Sequence, residues 1–522
     1  MNRRRLAILL LPLITAALVV LSAAPQAQAG ATQEPSAPPK VLLLYDSLGK
    51  GTAREGNVSE LQRLLSAFGT QVTLLSLNRY EQGTLNSFSR TITVINAADI
   101  VPANRAYLED LERYQGQSLH VGYHPPARLL QALQLTTGVT GEDYADLTVG
   151  EFTGSSLQVS GMPYMAAVKA ERTYGSFTLG SSGRKLPYAA TGGQYTYVPY
   201  LEQGNASVIG MAYVLKDWLE SRAAGPQTYL VLKEIYPFSD LALLEETAER
   251  LYKAGIPFIA SIRPVFSNTG YPAMQRYLDA LKVVQSRNGS ILVNAPVVMP
   301  SINSSDHSLG EKMSAFVDLL VKNGIGPLGA GADLHWTYDK EYAEAGLGWF
   351  DSAVLFPDGN VLHMEQTNVS KVFASSLYSL TPEFLQGLGH TPRAMPQLPL
   401  DTAVTADLPE DEAGLQELLQ TLDRQWISFA DYKQTAHTAV TDINTVASAD
   451  GVLSVNGVPL NVDYVPEAVN SDYRYKEDQL QSFTKLFSVQ NQFFIVVIIT
   501  ALLMFGGLIT IGYRLYRRKY LK

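Results

Sequence analysis

The tightest limit on this chain lies near its C-terminus, where residues 493–513 (FFIVVIITALLMFGGLITIGY) contain no charged side chain. A helix of about 20 such residues spans the hydrocarbon of a bilayer, with every backbone polar group satisfied inside the helix. Arg514, Arg517, Arg518, Lys519 and Lys522 follow at once. Cationic residues flanking a span are retained in the cytoplasm, so the expected topology puts the body before residue 493 outside the cell membrane. The chain is expected to be a single-pass protein with an extracytoplasmic body and a cytoplasmic tail at 514–522.

The other end fits export. Arg3, Arg4 and Arg5 precede the apolar stretch 6–21, and Ala27-Gln28-Ala29 forms a small-residue cleavage site. Residues 1–29 therefore read as a signal peptide, with an uncleaved anchor as the alternative, and 30–39, rich in Pro, Ala, Gln and Ser, as a linker. A formal net charge of −9, with no long basic block in the middle of the chain, excludes a nucleic-acid partner. The chain has no cysteine, so it forms no disulfide, thiolate metal site or cysteine nucleophile.

Folded structure begins at KVLLLYDS, whose apolar run has buried-strand length. The helical face of NVSELQRLLSAF and the strands QVTLLSL and TITVINA follow. Strand–helix–strand alternation of this kind predicts a doubly wound, flavodoxin-like α/β domain over 40–137. Residues 138–225 read as a β-rich insert closed by a helix at 209–218, from segments such as FTGSSLQVSG and GGQYTYVPYL. A second α/β unit occupies 226–397, with helices at 241–254, 273–286 and 309–322 between apolar strands. Its pattern predicts a parallel (β/α) sheet, barrel-like or open, whose rim gathers Lys233, Glu234, Arg263, Asn294 and Asp333. Residues 398–471 read as an α/β extension and 472–492 as a polar, helical stalk before the span.

Two short motifs invite chemistry. Ser47-Leu48-Gly49-Lys50-Gly51-Thr52 lies between a strand and a helix, where backbone amides cradle anions. It lacks the Walker A spacing, and a loop in a cofactor-free domain is the expected reading. His120 and His124 have H-x3-H spacing, but they span a strand running into Pro125-Pro126, not a helix face, which disfavours a metal site there.

The stretch YLVLKEIYPFSDLALLEETAERLYKAGIPFIASIRPVF resembles the first β-α-β unit of polysaccharide-deacetylase-like proteins, in particular a divergent DUF2334-type branch of bacterial surface and exopolysaccharide proteins. The resemblance covers residues 226–397, and the N-terminal part is similar to the flavodoxin-like or amidotransferase-like domains that accompany some of them. It implies a first strand ending in two aspartates, one a base and one a metal ligand, and a later strand carrying an H-G-x-x-H motif. Together these would hold a divalent ion that activates water for attack on an acetyl carbonyl.

Here the aspartate positions fall on Lys233 and Glu234, and the histidine motif on 294–298, with Asn294 and Val298 where imidazoles belong. The expectation is a vestigial site with no cofactor, in which Lys233 and Glu234 neutralise one another. Arg263, Asn294, Asp333, His335 and Trp336 remain for substrate binding, and 28 tyrosines suit stacking on sugars. The expected role is non-catalytic glycan binding or assembly beside a surface-polysaccharide synthesis or export machinery. The alternative is an active carbohydrate esterase or glycosidase, with Glu234 and Asp333 catalytic or with a divalent metal such as zinc on Glu234, His307 and His335.

Overall fold

The computed structural model describes residues 37–221, 225–296, 308–390, 396–465 and 478–520. The signal peptide, Val298 and His307 lie outside the described residues. The chain divides into two compact units, Met1–Tyr464 and Val465–Lys522.

The first unit begins with parallel strands Lys40–Tyr45, Gln71–Ser76, Arg90–Ile95 and Gln117–Gly122, joined later by Tyr195–Val198. Numbered by sequence within this set, their spatial order is 2-1-3-4-5, all parallel, which is the flavodoxin order. Val41, Leu42, Leu43 and Leu44 are fully buried because helices and turns cover both faces of the sheet. Most of the β-rich residues 138–225 continue this sheet, while Pro163–Ala167 pairs with Thr136–Val139 in a two-stranded sheet of its own. Antiparallel strands Lys185–Gly192, Arg172–Leu179, Asp143–Val149 and Phe152–Val159 extend the main sheet, and Gly389–His390 makes it ten-stranded. Alternating burial along Asp143–Val149 explains the extension, since one face packs on the core and the other meets solvent.

The second α/β portion is a closed parallel barrel of seven strands: Thr228–Ile235, Phe258–Ile262, Gly289–Asn294, Pro327–Asp333, Ser352–Phe356, Ser375–Leu380 and Thr402–Asp407. The barrel therefore runs past residue 397, where the sequence reading ended it. Closure requires the strand Thr402–Asp407, which pairs with the first strand on one side and with Ser375–Leu380 on the other. The barrel's N-terminal end is covered by residues 430–460. There Tyr432 packs edge-on to Tyr229, and Lys433 donates to Asn288 Oδ1 at 2.9 Å.

The helix Asn57–Ala67 of the flavodoxin-order domain meets the opposite, C-terminal end of the barrel. Arg63 and Glu60 form an ion pair at 3.0 Å with side chains only 4% and 2% exposed. Arg63 also donates to the carbonyls of Leu355 and Ser379, near the ends of two barrel strands, and Tyr378 donates to Glu60. The edge strand Gln71–Ser76 is covered by barrel residues, with Leu74 N–H donating to Asn368 O at 2.7 Å and Ser370 N–H to Val72 O at 2.9 Å. Covering the edge in this way removes a template for aggregation.

The second unit carries the helix Asp478–Tyr520. Its segment Phe494–Lys519, 26 residues, is long and apolar enough to cross a membrane.

Candidate functional site

The first barrel strand ends irregularly. Its register against the second strand shifts between Leu232 and Ile235, and Glu234 takes a left-handed φ of 60°. A side chain rarely adopts that conformation without compensation from its surroundings. The shift turns the Glu234 carboxylate towards the second strand. Arg263 Nη2 donates to its Oε1 at 2.7 Å, and the Tyr236 hydroxyl donates to Oε2. Burial pushes the Glu234 carboxyl up, but the bonds from Tyr236 and Arg263 outweigh it and hold the group below the usual carboxylate range.

The expected Lys233–Glu234 pair is not the one that forms. Lys233 Nζ sits 2.7 Å from Asp407 Oδ1, at the end of the closing strand. Successive residues of a strand face opposite ways, so neighbours in sequence find different partners.

Arg263 reaches further round the rim, donating through Nη1 to Ala295 O at 2.6 Å. Asn294 is only 3% exposed; its Nδ2 and the Arg263 Nε are shut off from solvent and have no partner among the described residues. Asn294 thus lies buried at the end of the third barrel strand. Asp333, at the end of the fourth strand, has its carboxyl raised by burial and by Asp358, against the lowering influence of His335 and Arg263.

His335 is held by Asp358, which accepts from its backbone N–H at 2.8 Å and lies 3.1 Å from its Nδ1. His363 lies next to it, with ring centroids 5.7 Å apart, and burial and the His335 charge lower its pKa. Trp336 is 3% exposed and stacks on Tyr342 at 4.2 Å. It packs in the barrel core cluster, on the turn Leu334–Tyr338. Among the described residues, no three His, Asp or Glu side chains converge as metal ligands.

Between the loop at 47–56 and the barrel loops lies a cavity of about 560 Å³, lined by Lys50, Gln62, His335, Asp358 and His363 among others. A second, of about 900 Å³, adjoins it through Tyr45, Leu74, Gln366 and Thr367. Sequence reasoning missed Asp358, His363 and this cleft, since nothing in the order of residues signals which loops of two domains face each other.

In the loop 47–52 the amides of Ser47 and Gly51 donate to neighbouring carboxylates. Asp46 accepts from the N–H groups of Ser47, Asn96 and Ala97, and Glu55 from Gly51. His120 and His124 turn to different carbonyls, those of Tyr123 at 2.6 Å and Ala98 at 2.7 Å.

No family model and no curated protein matches the chain. Among solved structures it is similar to the crystal structure of Agd3, described as a novel carbohydrate deacetylase. Identity is 9%, the TM-score is 0.33, and the match covers 80% of this chain and 93% of that one. A likeness this distant carries no inference about chemistry.

Proposed function

We propose that the chain is a membrane-anchored, extracytoplasmic glycan-binding or assembly component in surface-polysaccharide handling, with a barrel rim that does not hydrolyse. One observation carries this reading: both oxygens of Glu234 are committed, one to Arg263 and one to Tyr236. A carboxylate held in this way is a poor base and a poor metal ligand. Lys233 is likewise committed to Asp407. Arg263, Asp333 and His335 would then shape the groove, with the polar cleft beside them. A DUF2334-type deacetylase ancestry accounts for a barrel with this rim.

The test uses the full chain in lipid nanodiscs. Expected are polysaccharide binding indifferent to chelator and no acetate release from acetylated glycans. Stoichiometric metal, with acetate release abolished in Glu234→Gln, would overturn the reading.

The raised carboxyl of Asp333 beside the His335–Asp358 pair favours a second reading, a hydrolase using Asp333 as general acid. Chelator-resistant glycan hydrolysis lost in Asp333→Asn would establish it.

A further inference from the structure

The loop after the first barrel strand carries an aromatic pair with one free face. Tyr236 and Phe238 stack with centroids 4.7 Å apart and planes 20° from parallel, and Phe238 is 82% exposed. The turn and the Tyr236 ring beneath Phe238 are held by hydrogen bonds. Tyr236 N–H donates to Ser239 Oγ at 3.0 Å, Ser239 N–H returns to Tyr236 O at 3.1 Å, and the Tyr236 hydroxyl is tied to Glu234. Asp240 then caps the following helix by accepting from Leu243 N–H at 3.0 Å. A ring positioned in this way loses little entropy on binding.

The charges around it are matched. Glu234 pairs with Arg263 and Lys233 with Asp407, and none of the four side chains is fully buried. These four ions cancel and the exposed Asp240 beside the stack adds a carboxylate, so the rim has no surplus cation for an acidic polymer or for anionic lipid headgroups. It does offer donors and acceptors beside an apolar disc. A single disc is also far smaller than the roughly 800 Å² per partner of a stable protein interface. A pyranose ring meets both features, with an apolar C–H face and hydroxyls at its edge.

We propose that the Phe238–Tyr236 stack is a platform on which a pyranose of a neutral polysaccharide lies flat, its hydroxyls meeting the paired ions of the rim. This rests on the glycan-binding reading and names its ligand class and its anchor residue.

The test is calorimetric titration of the full chain in nanodiscs, since maltoside detergents would compete for the site. The probes are cello-, manno-, xylo- and maltohexaose, with hexagalacturonate as the acidic comparison. At least one neutral hexasaccharide is expected to bind, at least tenfold more weakly in Phe238→Ala and with affinity retained in Phe238→Trp. Phe238 is exposed, so neither variant disturbs the core. Binding undiminished in Phe238→Ala, or tighter binding of hexagalacturonate, would overturn the platform and leave glycan binding standing. Binding of none of the probes by the wild type would overturn both.

Discussion

Arg263 and Glu234 meet at 2.7 Å across the ends of the first two barrel strands, with side chains 20% and 31% exposed. The pair holds Glu234 at a φ of 60°, where an unsupported side chain costs about 1 kcal/mol. Two consequences separate the ion pair from the strain. Arg263→Ala should destabilise the body by about 1–2 kcal/mol, a value reduced by partial exposure. At position 234, Gly should leave the protein about 1 kcal/mol more stable than Ala, because both lose the ion pair and only Ala keeps the strain. Denaturant midpoints of the three variants check this; an alanine variant as stable as the glycine one would show that no strain is held there.

The buried Glu60–Arg63 pair joins the helix Asn57–Ala67 to the barrel through Leu355, Ser379 and Tyr378. Removing one partner of a buried pair strands the other, at about 3–5 kcal/mol. Arg63→Ala should therefore raise amide exchange together in Asn57–Ala67 and Ser375–Leu380 while leaving the strands Lys40–Tyr45 and Phe258–Ile262 protected. Exchange confined to the helix would show that the joint does not couple the two domains.

Much of the fold was legible in the sequence where residues were uniformly apolar. Val41–Leu44 within KVLLLY and all of FIASI are buried, and their strands fall where the apolar runs place them. The last barrel strands were not legible. Ser375–Leu380 and Thr402–Asp407 interrupt their apolar runs with Ser376, Ser379, Thr402 and Thr405, all buried. These hydroxyls are tolerated where they find partners, as in the 2.7 Å bond between Ser379 Oγ and Thr405 Oγ1. That bond is visible only once the barrel closes. At the rim the charged residues were identified but their pairing was not, because Lys233 and Glu234 find partners about 170 and 30 residues away in sequence, set by strand order.

Two imidazoles are kept neutral by the fold. Burial lowers His120 and His437 to about 4, from an ordinary 6.5. His437 stacks on Tyr432 at 3.7 Å and lies between Ser352 Oγ and Thr435 Oγ1, at 2.8 Å and 2.6 Å. Because the folded pKa is depressed, the unfolded chain binds protons first as pH falls. The stabilisation is complete above pH 6.5 and is lost on the way down to pH 4, costing about 2 kcal/mol per group by pH 5. Between pH 7 and pH 5 the unfolding temperature should therefore fall less in His437→Asn than in the wild type. Parallel falls would show that His437 titrates normally in the folded protein.

The orientation of the span can be read directly, because a chain with no cysteine reports any single one introduced into it. Tyr271 is 62% exposed on the loop before the helix Pro272–Ser286, so Tyr271→Cys should place a reactive thiol on the body at little structural cost. Leu521→Cys places one in the basic tail and keeps every cation that would retain it. If those cations hold the tail in the cytoplasm, a membrane-impermeant maleimide should label the Tyr271→Cys chain in intact cells. The Leu521→Cys chain should react only after permeabilisation. The reverse pattern would place the barrel and its aromatic stack in the cytoplasm, away from any surface polysaccharide, and the proposed role would fall with it.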